Sequence, residues 1–305
     1  MSKTICIFGG AGFVGRYVAR RLHQAGWKIR IPTRKPDSAH AIFKDLPDIE
    51  LLHCNILDEA AVVDAIKGVD AVVHSVGTFD QFGTNNFEAI QHQSAKRVAE
   101  AARDAGVARF VYLSAIGADL NAASQYQRSK AQGEAAVLAQ FEDAVILRPS
   151  VIFGPEDQFF NRFAAMTRLS PILPLVGAAT RFQPVYAGDV ANGVEAVLTK
   201  LQSGVFELGG PDVASFRDLM KQMLAILERR RFIMDQPMPI ARLMGWGFDL
   251  LPRLSGGVLP SGPITLDQVK SLACDNVVSA DAQGFTTLGI APKSIAEILP
   301  SYLKR

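Results

Sequence analysis

The sequence predicts an α/β protein with a doubly wound parallel sheet, followed by a smaller, mainly helical C-terminal domain. Short apolar runs alternate with helical stretches over the first half of the chain, as in repeated βαβ units. After Gly210 and Pro211 the alternation stops and helical periodicity takes over. The 305 residues suffice for about two domains. The expected boundaries are 1–165 with a returning segment of about 181–210 for the first domain, and 166–180 with 211–305 for the second.

Six strands are predicted in the first domain, because six short apolar runs have the length and composition of buried parallel strands. We expect them at Thr4–Phe8, Trp27–Ile31, Ile49–Cys54, Val69–His74, Arg109–Leu113 and Ala144–Leu147. Helices fill the intervals between these strands, and two of them stop at a glycine. Their predicted ranges are Arg16–Ala25, Ala60–Ile66, Phe87–Ala105 and Ser129–Gln140.

A glycine-rich turn joins the first predicted strand to the first helix. Gly9, Gly12 and Gly15 have the spacing GxxGxxG. One glycine permits the tight turn, one lets the backbone approach a pyrophosphate, and one lets the helix pack on the strand. The helix N-terminus then offers free N–H groups to the phosphates. In this context the pattern predicts a Rossmann-type dinucleotide site that includes Phe13 and Val14, and the alternative is a turn that only packs a helix.

The end of the second predicted strand bears on the choice between NAD(H) and NADP(H). An NAD-selective site places an acid about 20 residues after the glycine turn, where it binds the ribose 2′-OH. The window from Pro32 to Pro36 has no acid and contains Arg34 and Lys35. A guanidinium suits a 2′-phosphate, so the sequence favours NADP(H), with Arg34 and Lys35 as ligands. The alternative is a solvated basic turn.

Further cofactor-binding candidates follow the remaining strands. In a doubly wound sheet, ligands bind at the carboxyl ends of the strands. The candidates at these ends are Asn55, Ile56, Val76, Gly77, Ser114 and Pro149.

Ser114, Tyr126 and Lys130 form a candidate catalytic set. Tyr126 and Lys130 make a YxxxK motif, and residues i and i+4 share one face of a helix. An ammonium beside a phenol lowers the pKa of the phenol, so the pair can act as general acid/base on a carbonyl or an alcohol. The Ser114 hydroxyl can bind the same oxygen. Alternatively, Tyr126 and Lys130 only bind the nicotinamide ribose, and no turnover occurs.

Composition excludes several classes of protein. Lys and Arg number 32 against 30 Asp and Glu, unlike the basic surface of a nucleic-acid-binding protein. The three cysteines form no CxxC pair and the histidines no HExxH motif, so we expect neither a disulfide scaffold nor a metal site. No stretch approaches the roughly 18 apolar residues of a membrane span, and no signal core or leader is evident. These features predict a cytoplasmic protein.

In chain order, the motifs resemble those of the short-chain dehydrogenase/reductase superfamily, in its extended or atypical branch. They are GGAGFVG at 9–15, the Asn55 strand end, HSVG at 74–77, LSAIG at 113–117, YxxxK at 126–130 and Arg148-Pro149. A second series is similar to the NAD(P)H-binding accessory subunit of respiratory complex I and its bacterial relatives. It comprises RPSVIFGPEDQFFNRF at 148–163, FQPVYAGDV at 182–190, LDQV at 266–269, DNVV at 275–278 and LGIAP at 288–292.

The resemblance implies a protein that holds NAD(P)H in a structural or assembly role, without an established reaction. The presence of both Tyr126 and Lys130 and the lack of a mitochondrial leader favour a free NAD(P)H-dependent oxidoreductase instead. Tyr126 follows Ser114 by 12 positions, fewer than in the sugar-nucleotide epimerases of the superfamily, which argues against an epimerase. A redox-sensing regulator that uses NADPH as a signal is a third interpretation.

The segment of about 232–263 is a candidate partner surface, because Met, Pro, Gly and large apolar residues dominate it. Five apolar residues between Pro239 and Leu251 share one helix face, namely Ile240, Leu243, Met244, Phe248 and Leu251. Such a face either packs in the core of the second domain or docks on a membrane-complex partner. Docking would make the protein peripheral at the inner face of a bacterial membrane.

Overall fold

Strands and helices alternate along the first half of the chain in the computed structural model, which describes residues 3–46, 48–79, 81, 83–254 and 264–304. The strands are β1 (Thr4–Phe8), β2 (Lys28–Thr33), β3 (Glu50–His53), β4 (Ala71–His74), β5 (Arg109–Leu113), β6 (Val145–Pro149), β7 (Ile152–Phe153), β8 (Ile172–Val176), β9 (Arg181–Phe182), β10 (Val185–Tyr186), β11 (Gly204–Leu208), β12 (Ala214–Ser215) and β13 (Phe232–Gln236).

Helices occupy the intervals and most of the C-terminal third. They are α1 (Phe13–Gln24), α2 (Pro36–Ile42), α3 (Glu59–Ile66), α4 (Ser94–Asp104), α5 (Gln125–Leu138), α6 (Phe160–Leu169), α7 (Ala187–Thr199), α8 (Phe216–Ile226), α9 (Met238–Leu254), α10 (Leu266–Ser271), α11 (Phe285–Leu288), α12 (Ile295–Ile298) and α13 (Pro300–Leu303). Among the described residues, none of these helices has both the length and the apolar character needed to span a bilayer.

Seven parallel strands form the central sheet, in the order β11-β6-β5-β4-β1-β2-β3. The chain runs outward from β1 to β3 and then crosses to β4, on the other side of β1. The winding therefore reverses between β1 and β4, and ligands bind at such a reversal. The predicted doubly wound sheet is confirmed, and β11 adds a seventh strand from the predicted returning segment.

Helices cover both faces of the sheet. On β1, Ile5 and Ile7 belong to the apolar core beneath α1 and α7, whereas Cys6 and Phe8 belong to the core beneath α3, α4 and α5. This alternation buries both faces, as parallel sheets require. Leu22 of α1 is fully buried in the first of these cores, and burying one such side chain is worth about 1.5–3 kcal/mol.

The helix predicted at Phe87–Ala105 is divided in the structure. A π-helical turn, Glu88–Gln93, precedes α4. The buried Gln91 in that turn accepts a hydrogen bond from Tyr112 Oη on its carbonyl (3.2 Å) and donates from its side chain to the Thr78 carbonyl (2.8 Å). These tertiary hydrogen bonds occur at the π-helical turn, and no local sequence pattern predicts them.

The helix predicted at Ser129–Gln140 begins earlier, at Gln125, because Ser124 is its N-cap. The Ser124 hydroxyl accepts a hydrogen bond from the Gln127 N–H at 3.5 Å. The earlier start places Tyr126 in the first turn of α5 and Lys130 one turn further along. Both residues of the YxxxK motif therefore lie on one helix, as their spacing predicts.

A third apolar core lies in the C-terminal part of the molecule. α8 follows its N-cap Ser215 and buries Leu219, Met220 and Met223 in this core. The rings of Phe159 and Phe216 stack there, with centroids 5.5 Å apart. Short ladders of β7 with β10, β8 with β13 and β9 with β12 accompany the helices. This part is therefore mainly helical, and its boundaries stay a prediction.

The two edge strands of the central sheet, β11 and β3, have different surroundings. The outer edge of β11 is covered, because the Glu207 N–H donates to the Gln283 carbonyl at 2.8 Å. The Glu207 side chain also accepts a hydrogen bond from the Ser279 N–H at 2.8 Å. At the other edge, β3 has only four residues and exposes Glu50 and His53.

Candidate functional site

Gly9 and Gly12 in the turn after β1, and Gly15 in the first turn of α1, have different constraints. Gly9 has φ +82°, which side chains rarely adopt, and a Cβ there would lie 2.8 Å from Ser75 Oγ at the end of β4. Gly12 donates its N–H to the Gly9 carbonyl at 2.9 Å and is the N-cap of α1. A Cβ on Gly15 would overlap the Gly9 carbonyl. The first turn of α1 therefore packs directly on the strand end.

The N-terminus of α1 is suited to an anion. The N–H groups of Phe13, Val14 and Gly15 have no partner within the helix, as at the start of any α-helix. The first turn of α1 has neither a capping side-chain bond nor an acidic residue. The partial positive charge of the helix terminus is thus available to a phosphate.

A cavity of about 300 Å³ opens at the carboxyl ends of β1, β2, β3 and β4, beside the glycine turn. It lies where the winding of the sheet reverses. The predicted cofactor-binding residues that line it are Gly9, Gly12, Arg34, Asn55, Ile56, Val76 and Gly77. The chain thus brings together, around one cavity, strand ends that are far apart in sequence.

The two cations after β2 differ in position. Arg34 lines the cavity and is solvent-exposed. Lys35 lies outside the cavity lining, where its N–H donates to Thr33 Oγ1 at 3.3 Å and it precedes α2 as the N-cap. Asn55 shapes the next strand end, because its Oδ1 accepts a hydrogen bond from the Leu57 N–H at 3.1 Å. Arg34 is therefore the cation of this turn that can reach a ligand in the cavity.

Lys130 and Tyr126 lie beyond Gly77, at the far end of the site. Lys130 is buried and donates to the Leu113 carbonyl at 3.0 Å. Its Nζ is 3.6 Å from the position that a Cβ on Gly77 would take, which joins it to the cavity wall. The Tyr126 ring is stacked on Phe79 at 4.9 Å and meets Phe87 edge-on at 5.8 Å.

The electrostatics of this pair differ from the expectation that Lys130 lowers the pKa of the phenol. Burial instead raises the pKa of the Tyr126 phenol, and the ammonium of Lys130 is directed to the Leu113 carbonyl. Burial also lowers the pKa of Lys130 to about 8, against the opposing attraction of Glu134 one turn further along α5. Phenol activation by Lys130 is therefore not built into this arrangement.

Two buried polar atoms near this end have no hydrogen-bond partner among the described residues: Ser114 Oγ and His74 Nδ1. The Ser114 backbone is fixed, because its N–H donates to the Leu147 carbonyl at 2.7 Å. Pro149 closes the neighbouring strand end, where its carbonyl accepts from the Ile116 N–H at 3.0 Å. A buried hydroxyl without a partner is costly, and a bound ligand could satisfy it.

Together these features fit a dinucleotide. Gly9 and Gly12 line the cavity without side chains, the α1 terminus offers N–H groups, and Ser114 has a buried hydroxyl without a partner at the other end. Within the described residues, no group of three or more His, Cys, Asp or Glu side chains could hold a metal ion. The site therefore offers binding groups for a phosphate-bearing cofactor.

Comparison with known protein families agrees with this geometry. Residues 5–209 match the model of the NAD dependent epimerase/dehydratase family, which is more than half of the chain. The chain belongs to this family. The predicted class of cofactor, a nicotinamide dinucleotide, follows from the family, whereas the choice between its phosphorylated and unphosphorylated forms does not.

Relatives of this chain include a subunit of a mitochondrial NADH dehydrogenase. Subunit 9 of the mitochondrial NADH dehydrogenase (ubiquinone) 1 alpha subcomplex of Arabidopsis thaliana is 30% identical over 98% of this chain and 77% of its own length. A ceramide reductase of Caulobacter vibrioides is 32% identical over 67% of this chain and 64% of its own. The resemblance to complex I accessory subunits, predicted from motifs, is confirmed.

A solved structure shares the fold of this chain. The NADPH-dependent quinone oxidoreductase of Escherichia coli superposes with a TM-score of 0.77, covering 99% of this chain and 100% of that chain. Its sequence identity to this chain is 18%, so the likeness concerns the fold alone.

The GPEDQFFNRF stretch, residues 154–163, packs against the first turn of α1. Asp157 is buried and accepts hydrogen bonds from the Gly154 N–H (3.1 Å) and from Tyr302 Oη (2.6 Å). A Cβ on Gly154 would lie 3.3 Å from the Phe13 ring, so this loop seats the first turn of α1. The Asp157 carboxylate therefore stabilises this loop.

Several residues of the site have no local signal in the sequence. Thr84 and Asn85 line the cavity, and Phe79 and Phe87 flank Tyr126. Asp267, from the LDQV motif, contacts the start of α5 from 141 positions away. Only the family resemblance singled out LDQV, because no spacing rule links a carboxylate to a helix start 141 positions away.

The predicted apolar face of α9 is largely solvent-exposed. Of its predicted members, Ile240, Leu243 and Met244 are 50%, 68% and 42% exposed. Trp246, which is not one of those members, is 55% exposed, whereas Ala241 is buried. The interpretation of this face as core therefore fails for these positions. Phe248 is half-buried, and the part of the predicted surface at 255–263 lies outside the described residues, as does the side chain of Leu251.

Proposed function

We propose that this protein holds NADP(H) as an accessory or assembly component of a membrane-bound respiratory complex. The similarity to the alpha subcomplex subunit 9 supports this proposal, because it extends over nearly the whole chain rather than over the nucleotide-binding half alone. The proposal has two parts, nucleotide retention and docking, and each rests on its own surface.

Retention of the nucleotide would use the cavity beside the glycine turn. The pyrophosphate would lie on the α1 N-terminus, and Arg34 would bind the ribose 2′-phosphate by a charge-assisted hydrogen bond. The carboxylate nearest in sequence, Asp37, lies in the first turn of α2, outside the cavity lining. Positive charge without a carboxylate favours NADP(H) over NAD(H).

A holding role is also consistent with the state of Tyr126 and Lys130. The phenol is kept protonated by burial, and Lys130 is bonded to a backbone carbonyl. Neither group is arranged in advance as an acid/base pair, whereas both lie where they could bind a nicotinamide ribose. Such a site binds the cofactor strongly without committing it to a reaction.

Docking on a partner would use the exposed apolar face of α9. Four large apolar side chains on one helix expose between 42% and 68% of their surface. Contiguous apolar surface of this kind marks interaction sites on soluble proteins. A partner in a membrane complex would hold the protein at the inner face of a bacterial membrane.

The test combines membrane sedimentation with native mass spectrometry of the purified protein. We expect bound NADPH in the mass spectrum and wild-type protein in the membrane fraction. Trp246→Glu should release the protein from membranes while NADPH binding and the melting temperature stay unchanged. Val63→Glu, an exposed apolar position on α3, is the matched control and should stay bound. If wild-type protein never sediments with membranes, the docking part is wrong.

A second candidate function is a free NAD(P)H-dependent oxidoreductase, and the unpartnered Ser114 hydroxyl favours it. Such an enzyme would use Ser114 to bind a substrate oxygen and Tyr126 to transfer a proton to or from it, with the bound nicotinamide supplying the hydride. The reductase among the relatives supports this candidate. Turnover of any carbonyl substrate with NADPH would decide in its favour.

A further inference from the structure

The first turn of α5, which carries Tyr126, is held by a carboxylate from the C-terminal domain. Asp267 accepts hydrogen bonds from the Gln125 N–H at 2.6 Å, the Tyr126 N–H at 3.1 Å and the Ser124 hydroxyl at 2.8 Å. One side chain thus satisfies two of the N–H groups that a helix start leaves without partners.

The local cap of α5 is weak without this carboxylate. The Ser124 hydroxyl accepts from the Gln127 N–H at 3.5 Å, the upper limit for a hydrogen bond. The first turn of this 14-residue helix contains no acidic residue of its own. A negative charge at a helix N-terminus is stabilising, so Asp267 supplies from outside what the local sequence lacks.

Asp267 is itself fixed to α9. A capping box between Thr265 and Gln268 orders the start of α10. The Leu266 N–H donates to Asp249 Oδ2 of α9 at 3.1 Å, and a Cβ on Gly245 of α9 would lie 2.8 Å from the Leu266 backbone. The two helices therefore touch closely, and their arrangement determines where the Asp267 carboxylate lies.

We infer that Asp267 is a positioning residue for Tyr126, through which α9 and α10 set the geometry of the nucleotide site. Tyr126 lies between the Phe79 and Phe87 rings, so a tilt of the first turn of α5 changes its ring contacts directly. Gly245 and Asp249 of α9 are thus joined to Tyr126 through Leu266 and Asp267 of α10. A role for Asp267 in nucleotide binding rests on the proposed function, whereas its effect on the position of Tyr126 does not.

The test is ¹⁹F NMR of the full chain labelled with 3-fluorotyrosine, which has five tyrosines. The Tyr126→Phe variant identifies the Tyr126 signal by its loss. Asp267→Asn removes the charge and one acceptor oxygen, so it should shift or broaden the Tyr126 signal and leave the other four in place. Hydrogen exchange at the amides of Gln125 and Tyr126 should accelerate about 5- to 30-fold, as for a lost helix cap.

Two further variants make the result specific. Asp218→Asn is the matched control, because Asp218 lies in the first turn of α8 and contacts Ser215 rather than α5. It should leave the Tyr126 signal unmoved. Gln125→Pro removes a donor to Asp267 at the first helical position, where proline is tolerated, and should move the Tyr126 signal even if Asp267→Asn does not fold.

An unmoved Tyr126 signal in folded Asp267→Asn or Gln125→Pro protein would overturn the inference. So would an equal shift of that signal in Asp218→Asn. Nucleotide binding is measured separately, by titrating wild-type protein with NADPH. A wild type that binds no NADPH would remove the proposed function and leave the positioning role of Asp267 intact, so the two failures are distinguishable.

Discussion

The glycine-turn end of the site and the Tyr126 end are built in different ways. At the first end, Gly9, Gly12 and Gly15 act through backbone geometry within one strand–turn–helix unit. At the second, Tyr126 and Lys130 depend on side chains and on Asp267, which lies in the C-terminal part of the chain. The first end combines this unit with the ends of β2, β3 and β4, which line the same cavity. The second also requires α10, from the C-terminal part of the chain.

This contrast separates binding from chemistry. A pyrophosphate site formed by backbone groups does not depend on the protonation state of a side chain, whereas a proton-transferring pair can be left unactivated by small changes in its surroundings. The burial that raises the pKa of Tyr126 and lowers that of Lys130 works against a phenolate–ammonium pair. A chain can therefore keep the nucleotide and give up the reaction.

The largest expected effect belongs to Gly12→Val. The backbone of Gly12 has φ −75°, which valine can adopt, but the valine Cβ would lie 3.0 Å from the Gly9 carbonyl, which must give way slightly. Its branched side chain would enter the cavity where the pyrophosphate must lie, and NADPH retention should be abolished. Native mass spectrometry measures the loss. Gly247→Val, where nothing lies within 4 Å, is the control, and normal NADPH binding by Gly12→Val would contradict the site.

Tyr126→Phe tests the other end. Under the holding function, NADPH affinity should stay close to that of the wild type, because the glycine turn is untouched. If a substrate is found, its turnover should fall about 10²-fold or more, as when an acid/base group is lost. Steady-state kinetics and NADPH titration together separate these outcomes. Turnover as fast as in the wild type would show that the phenol has no catalytic role.

Arg34→Ala probes the cofactor choice at the binding end. Loss of a charge-assisted contact of ~1.5–3 kcal/mol should weaken NADPH binding roughly 10- to 150-fold and NADH binding much less. Lys35→Ala is the neighbouring control and should have the smaller effect, because Lys35 lies outside the cavity lining. Calorimetric titration of both variants with both nucleotides measures the difference. Equal losses for NADPH and NADH would refute the assignment of Arg34.

Lys130→Met tests the electrostatic strain at the Tyr126 end. Burial lowers the pKa of Lys130 to about 8 in the folded chain, against about 10.4 when unfolded. Between these values the unfolded state binds more protons, so wild-type stability rises with pH, and a methionine lacks this gain. Between pH 7 and 9.5, the free energy of unfolding of the wild type should therefore rise relative to that of the variant by on the order of 2 kcal/mol.

Urea unfolding of both proteins across this pH range measures the gain. Lys44→Met removes an exposed lysine and should follow the wild type at every pH. If Lys130→Met also runs parallel to the wild type, the ammonium is not strained by burial.

The same contrast explains how much the sequence could predict. The strand β1 and the glycine turn have local patterns, so their positions and roles follow from spacing. The contact of Asp267 with α5 has no local pattern, because it joins residues 141 positions apart in the sequence. Periodicity correctly indicated an apolar face on α9, but it cannot tell an exposed face from a buried one. The state of Lys130 was missed for a related reason, since the Leu113 carbonyl that binds it comes from another element.

The finished edges of the central sheet limit how copies of this chain can associate. An exposed strand edge is a template for pairing with another chain, and it is a frequent start of aggregation. Here β11 is bonded on its outer side to the segment around Gln283, and β3 is short and bears exposed polar side chains. Both features disfavour pairing with a further strand. Self-association at high concentration should therefore proceed through side-chain surfaces, and the protein should resist conversion to β-rich aggregates while it stays folded.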